Sequence, residues 1–342
     1  MVGDGPEIDV VVLTYGVEPS IQRAIDSVLA SEAVRPHVWL VDNGNTTDAI
    51  RTLDVDPRVT VLRPGHNLGF AGGVNYGASF GRADTLVVLN ADARADPGAL
   101  ARLVAVAAEP DVAIAAASVR LAGQPRVLNS AGNPLHMSGL SWAGAHGRPA
   151  ADHDRRRAAP IASGAAFAIR RDRWDALDGF WAALFTYHED TELSMRCWQR
   201  GWRVDYVPDA VVEHDYEFGR NPRKLAHVER NRLLILATLY EPRTLLLLAP
   251  VLLGTEIAMC IWAVRNGWLG AKLSGWVWIW RHRGDITARR AGVQRQRTRS
   301  DKELSWLFGT RLDNAVIDVP DALLRMVNPI LAGYWRLIRG WL

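Results

Sequence analysis

Leu86-Val87-Val88-Leu89-Asn90-Ala91-Asp92 is the stretch that decides the fold. Four consecutive apolar residues read as a short strand buried on both faces. The break into Asn90-Ala91-Asp92 puts two short oxygen-bearing side chains at the carboxyl end of that strand. Open α/β sheets bind their ligands at that edge. An amide oxygen and a carboxylate there suit a hard divalent cation that itself holds phosphates. Asn and Asp also serve as ordinary loop and capping residues, so the triplet gains its meaning from its surroundings.

Outward from it, the first half of the chain alternates strand and helix patterns. Residues 8–13 form a near-continuous apolar run, and residues 19–30 place Ile21, Ala24, Ile25 and Val28 at helical spacing. Residues 37–41 and 59–62 are two further strand candidates, the second followed by the glycine-rich helix entry Asn67-Leu68-Gly69-Phe70-Ala71-Gly72-Gly73-Val74-Asn75. Such alternation predicts a parallel sheet with right-handed crossovers. Residues 112–121 read as another strand, and residues 123–159 as a long loop or small irregular insertion. Residues 163–169 are short, apolar and small. Helices are expected over 190–200 and 222–239, with short strands at 203–207 and 210–212; the pattern changes character near 216–222.

A chain of 342 residues, 49% hydrophobic and 23% charged, is globular and long enough for one large domain and an appendage. The net charge of +3 hides an asymmetry: residues 1–214 carry 20 Lys/Arg against 26 Asp/Glu, and residues 215–342 carry 20 against 11. Eight of the 14 Trp follow Tyr240. A basic, Trp-rich rear suits a membrane surface or a nucleic acid. Cys197 and Cys260 offer neither a disulfide framework nor a metal spacing, as in a reducing compartment. The first residues carry no basic and apolar export pattern.

Four loops follow the four front strands, and each suits a nucleotide. Thr14-Tyr15 offers a backbone edge and a ring for a base, and Asp42 a carboxylate for the imide N–H of uracil or thymine. The segment from Asn67 to Asn75, Gly72 included, offers close backbone approach and helix N-terminal N–H groups for phosphate. Asn90 and Asp92 complete the row. Further on, Tyr187-His188-Glu189-Asp190 heads a helix after the aromatic run Phe180-Trp181-Ala182-Ala183-Leu184-Phe185. A carboxylate against such a wall has its pKa raised and can act as a general base, although acidic residues in a first turn are often only dipole partners. His214, ending Val211-Val212-Glu213-His214, is a candidate third metal ligand or a structural histidine.

These pieces, with Val10-Val11-Val12-Leu13, Leu40-Val41-Asp42-Asn43-Gly44 and Ser163-Gly164-Ala165, resemble the inverting nucleotide-sugar glycosyltransferases of the GT-A fold, glycosyltransferase family 2. The likeness is nearest to bacterial rhamnosyl- and galactofuranosyltransferases and covers roughly residues 8 to 232. The resemblance implies a Rossmann-like, mostly parallel sheet flanked by helices, with a nucleotide half over about residues 1–120 and an acceptor half over 121–220. It implies base and ribose contacts by Thr14, Tyr15 and Asp42, and donor contacts along Asn67, Gly72, Asn75 and Asn90. Mg2+ or Mn2+ would sit on Asp92 with His214. Asp190 takes the role of catalytic base with Glu189 beside it, and Ser163, Gly164, Ala165 and His188 face the acceptor. One departure stands out. The usual Asp-x-Asp is Asn90-Ala91-Asp92, so one formal charge is missing beside the metal, which leaves weaker affinity or ligation by Asp92 alone open. Both dTDP-rhamnose and UDP-galactofuranose satisfy Asp42.

Residues 221–342 are expected to form an amphipathic and apolar helical region. The run 244–264 is long enough to cross a bilayer, but Pro250 and Glu256 near its middle oppose crossing. A single crossing would also put residues 281–299, with seven Arg and one Asp, opposite a catalytic domain that needs cytosolic donor. Helices lying in the interface fit better, with Trp276, Trp278 and Trp280 at the headgroup boundary and residues 326–342 as a further anchor. The same apolar faces could pack on the catalytic domain or on a second subunit. A chain held this way at the cytoplasmic face of the plasma membrane, peripheral or monotopic, has a lipid-linked glycan as its natural acceptor in polysaccharide synthesis. Nucleic acid is not an expected partner, and no oligomeric state follows. Rival readings are a non-catalytic basic scaffold and a sugar nucleotidyltransferase. The second lacks a cation in its first loop, Thr14-Tyr15-Gly16-Val17-Glu18-Pro19, and a dinucleotide oxidoreductase lacks Gly-x-Gly-x-x-Gly there.

Overall fold

The apolar runs do become strands, and their order places the polar ends. The structure, a computed structural model, describes residues 5–46, 50, 56–215, 222–313 and 320–342. In chain order the elements are β1 (Glu7–Gly16), α1 (Ile21–Leu29), β2 (Arg35–Asn45), β3 (Val59–Leu62), α2 (Gly69–Ala78), β4 (Thr85–Asn90), β5 (Ala93–Ala95), α3 (Ala99–Ala107), β6 (Val112–Leu121) and β7 (Gln124–Ser130). There follow β8 (Leu135–His136), β9 (Arg157–Ala158), β10 (Ala166–Arg170), α4 (Arg171–Leu177), α5 (Glu189–Gln199) and β11 (Arg203–His214). The rear holds α6 (Pro222–Leu239), α7 (Pro242–Arg265), α8 (Leu269–Arg281), α9 (Arg283–Arg295), β12 (Phe308–Gly309) and α10 (Asp321–Ile338).

The chain divides into two compact units. One comprises Met1–Asn133, Ala143–Cys197 and Trp202–Glu217; the other comprises Pro134–Trp142, Trp198–Gly201 and Phe218–Leu342. The first is built on a sheet of order β3-β2-β1-β4-β10-β6-β11-β5. β1 runs parallel to β2 and to β4, and β2 parallel to β3, whereas β10 lies antiparallel between β4 and β6. Chain order reverses direction at β1, so the carboxyl ends of β1 and β4 flank the crevice where such sheets bind ligands. β4 and β6 are buried along almost their whole length, around the apolar runs 86–89 and 112–117. Helix α1 buries Ile21, Ala24, Ile25 and Val28, the face its spacing selects.

One expectation changes and another narrows. Residues 203–214 form one strand and not two: β11 pairs with β6 throughout and shifts register between Val207 and Val211. Pro208 lies in that shift, where a residue without an N–H belongs. Of the two readings of 123–159, the small irregular insertion describes it and the long loop does not, since it supplies β7, β8, β9 and a short 3-10 turn, Ala150–His153. Of the change of pattern near 216–222, residues 216–221 lie outside the described residues.

The second unit is helical. α6 contacts α8 and α9, α7 contacts α8, and the two-residue strands β12 and β8 pair in parallel. Its helix α7 has 24 residues and contains an 18-residue stretch with a mean hydropathy of 2.1, long and apolar enough to cross a membrane.

Candidate active site

Register brings the strand-end residues into one row. Thr14 stands beside Asp42 across the β1–β2 pair, and Leu13 stands beside Asn90 across β1–β4. Thr14 is fully buried, and its hydroxyl accepts the Asn45 amide at 2.5 Å. Asp42 accepts the backbone N–H of Asn45 at 2.9 Å and faces Arg63 at 3.7 Å. Tyr15 is exposed.

The glycine-rich segment does other work than its sequence suggests. Asn43 donates to Asn67 Oδ1 at 2.9 Å and accepts from Leu68 N–H at 2.8 Å, and Asn67 Oδ1 also accepts Gly69 N–H at 2.8 Å. Ala71 N–H goes to the Phe185 carbonyl at 3.0 Å. The Gly69 and Ala71 N–H groups expected to meet phosphate are therefore already bonded within the protein. Asn75 likewise uses both ends of its amide on the Phe180 backbone. A Cβ on Gly73 would come 2.1 Å from Leu13 Cδ1, so this glycine lets α2 approach the sheet, not a ligand. Gly72 has room only for contact with Leu68 and Ala182.

At the end of β4, Asp92 Oδ1 lies 3.0 Å from His214 Nε2, and Asn90 Nδ2 lies 3.4 Å from the same nitrogen. β5 and β11 hold these residues, since Ala93 pairs with His214 and Asp215 N–H bonds the Asp92 carbonyl at 2.9 Å. The other imidazole nitrogen, Nδ1, lies 3.3 Å from Asn129 Oδ1. An acceptor there favours the tautomer with its proton on Nδ1, which turns the Nε2 lone pair toward Asp92. A lone pair facing a carboxylate calls for a proton or a cation between them. Asn90 Oδ1 is buried with no hydrogen-bond partner. Among the described residues no three His, Cys, Asp or Glu side chains form a closed metal cluster. One carboxylate and one imidazole nevertheless fit an ion that takes its remaining ligands from phosphates, with the unpartnered Asn90 amide oxygen beside them on the same strand end. Asp92 also lines a cleft of about 390 Å³ with Arg23, Arg94, Glu213 and Asp215, which Asp190 does not line.

The second carboxylate centre connects to the first through two hydrogen bonds. Asn90 N–H donates to the Ala165 carbonyl at 2.9 Å, and Gly164 N–H donates to Asp190 Oδ2 at 3.0 Å. The Ser163-Gly164-Ala165 backbone therefore bridges the Asn90–Asp92 edge and the head of α5. Asp190 Oδ1 accepts Thr191 N–H at 2.6 Å and the Thr191 hydroxyl at 3.2 Å. Its neighbour Glu189 is buried, and Oε2 has no partner. Burial, then the charge of Asp190, pushes the Glu189 carboxyl up to about 8, and burial also raises Asp190. Three donors favour ionised Asp190, while none of those bonds reaches Glu189. In this pair the proton belongs on Glu189 and the negative charge on Asp190.

The approach to α5 is strained. Phe185 has φ 66° and ψ −64°, and Thr186 N–H bonds the Leu184 carbonyl at 2.8 Å, a γ-turn of the rare positive-φ kind. Tyr187 and His188 also have positive φ, at 69° and 66°. Such backbone costs about 1–3 kcal/mol per residue and persists where the surroundings hold it. His188 is buried and lies 3.4 Å from the Thr191 hydroxyl.

Sequence reasoning missed three participants. Asn129 orients His214. Glu18 is half-buried, and its carboxyl is raised by burial and then by Asp92. Asp215 accepts from Ser20 at 2.7 Å and Arg23 at 3.2 Å. A residue directly after His214 was the one available signal for Asp215; the other two carried none.

Fold and site together define an α/β transferase with a carboxylate edge. Residues 6–233 match the family described as glycosyltransferase like family 2, and the chain belongs to that family. It is a glycosyltransferase, which removes the scaffold and nucleotidyltransferase readings. It is 28% identical over 244 residues to an N-acetylglucosaminyl-diphospho-decaprenol L-rhamnosyltransferase of Mycobacterium tuberculosis, covering 63% of this chain and 78% of that one. It is 34% identical over 101 residues to the succinoglycan biosynthesis protein ExoO of Rhizobium meliloti, 29% of each chain. Two solved structures share the fold. GalNAc-T7 with UDP, GalNAc and Mn2+ has a TM-score of 0.57 at 16% identity over 70% of this chain; the match spans about half, 49%, of that protein. A mannosyltransferase from Pyrobaculum calidifontis with GDP-Man and Mn2+ has a TM-score of 0.51 at 16% identity over 98% of this chain and 88% of that one.

Proposed function

We propose that this glycosyltransferase inverts the anomeric centre of a sugar carried on a nucleoside diphosphate, of the dTDP-rhamnose or UDP-galactofuranose type. Its acceptor is a hydroxyl of a polyprenyl-diphosphate-linked glycan at the cytoplasmic face of the plasma membrane, in cell-envelope polysaccharide synthesis. The observation that carries the reading is the Asp190 carboxylate, held by three donors beside neutral Glu189 and tied through Gly164 and Ala165 to Asn90. The lipid-linked acceptor in the name of the mycobacterial relative supports the acceptor class.

The acceptor hydroxyl gives its proton to Asp190 as its oxygen attacks the anomeric carbon. The bond from that carbon to the phosphate oxygen breaks, and its electron pair leaves with the nucleoside diphosphate. One displacement inverts the centre and needs no enzyme nucleophile. Asp92, His214 and Asn90 would hold Mg2+ or Mn2+, which when bound supplies positive charge against the leaving diphosphate. Thr14, Tyr15 and Asp42 receive the base and ribose, while Asn67 and Asn75 shape the walls around them. Ser163, Gly164, Ala165 and His188 border the acceptor side.

Asp190→Asn tests the reading. Transfer should fall by about 10²–10⁴-fold, the usual worth of a general base. Stabilisation by nucleotide sugar with Mn2+ in thermal unfolding should persist. Near-normal transfer by that variant removes Asp190 from the base role.

A further inference from the structure

Helix α7 is built inside out. A helix on a water-soluble surface turns its polar side outward. Here Thr244, Leu248, Met259 and Ala263 are buried, and the charged group of the run, Glu256, also points inward. Glu256 bonds Arg232 at 2.5 Å, Lys272 at 2.7 Å and the Trp276 indole N–H at 3.0 Å. Glu229 completes the set, 2.8 Å from both Arg232 and Lys272. Lys272 and Arg232 side chains are each 1% exposed. Two carboxylates and two cations therefore close on one another between α6, α7 and α8, with no net charge.

The opposite face of α7 carries Leu246, Leu253, Ile257, Ile261 and Val264, all exposed, with only Ala249, Pro250, Gly254 and Ala258 beside them. α8 repeats the inversion: it buries Lys272 and exposes Leu273, Trp276, Val277 and Trp280. Leu246 is 75% and Trp280 66% exposed, far from the burial such side chains reach in a core. Contiguous apolar surface of this extent marks an interaction site.

The charges around the stripe select its occupant. Arg243 and Arg265 stand exposed at the two ends of α7, Arg281 and Arg283 are exposed where α8 meets α9, and Arg283 stacks over Trp280 at 4.9 Å. Apolar residues bordered by Trp and Arg match a leaflet with anionic headgroups. We propose that the outer faces of α7 and α8 form one lipid-facing surface that lies in the plane of an anionic leaflet, with the Glu229–Arg232–Glu256–Lys272 network as its internal support. In-plane seating follows from the one-sidedness, since the other face of α7 is bonded to α6 and α8. This deepens the membrane placement proposed above and rests on it only for which membrane is met.

Flotation of the full chain tests the surface without any sugar transfer. Vesicles of phosphatidylcholine with phosphatidylglycerol should carry the protein up a density gradient, and pure phosphatidylcholine should carry less. The double substitution Leu253→Gln and Ile257→Gln should lower the floated fraction about tenfold, as should Trp280→Lys on α8. Both variants should keep the parent's circular dichroism and its thermal shift with nucleotide sugar, which separates a failed surface from a failed transferase. A parent chain that stays at the bottom with both vesicle types overturns the proposal. So do variants that float like the parent, and so does a parent dimer in solution that the same substitutions dissociate, which would make this face a contact between copies.

Discussion

The sheet unit and the helices α7 and α8 apply one rule in opposite senses. In the sheet unit Val10, Val87 and Ile114 fill the interior, and Asp42, Asn90 and Asp92 stand at strand ends with water within reach. In α7 and α8 the ion network is inside, and Leu253, Ile257 and Trp280 are outside. Burial follows the solvent that each face meets, so the reversal is what the proposed lipid-facing surface requires. Charges therefore have different duties in the two places. At the strand ends and the head of α5 of the sheet unit some acceptors stay open, as on Asn90 and Glu189. The charges of the Glu229–Arg232–Glu256–Lys272 network satisfy one another.

The largest expected effect on stability falls in the helical unit. Lys272→Ala leaves Glu229 and Glu256 without one of their two cations, and removing one partner of a buried ion set costs about 3–5 kcal/mol. Urea unfolding should register that loss. A change under about 1 kcal/mol would mean that the network is hydrated like a surface pair, and the contrast with the catalytic edge would disappear.

A smaller effect is expected where the sheet unit orients a ligand group. Asn129→Leu removes the acceptor from His214 Nδ1 and should weaken Mn2+ binding in the presence of nucleoside diphosphate by about 10–100-fold, read by calorimetry. Transfer at saturating Mn2+ should recover much of its rate. Unchanged affinity would show that the imidazole keeps its orientation without Asn129.

How much of this was legible in the chain depends on sequence distance. The strands β1 to β4 and the buried face of α1 followed from local apolar spacing. Leu86 to Asp92 gave both a strand and a polar edge, because both are written in seven consecutive residues. The placement of β10 antiparallel beside β4 was not legible, since it depends on a pairing between residues 166 and 89. Asn129 is equally silent: an Asn in a strand means nothing until His214, 85 positions on, comes within 3.3 Å. Glu256 read only as an objection to a bilayer crossing, because its partners Arg232 and Lys272 lie on other helices. The positive φ of Phe185, Tyr187 and His188 left no trace either, since none is a glycine.

The smallest expected effect concerns the carboxyl pair and shows as a dependence on pH. Glu189 holds its proton up to about 8 in the folded chain, while an exposed Glu releases it near its ordinary value of 4.5. Between those two values the folded state binds more protons than the unfolded one, so this group makes stability fall as pH rises through the window. Below it, the Glu189 contribution is fully present. Glu189→Gln cannot ionise and keeps a neutral side chain beside Asp190. Its stability relative to the parent should therefore climb from about pH 5 to pH 9, read as the difference between paired thermal melts. The variant should also retain transfer, because Asp190 keeps its three donors. If the difference stays flat across that range, Glu189 is ionised beside Asp190, and the division of proton and charge within the pair must be reversed.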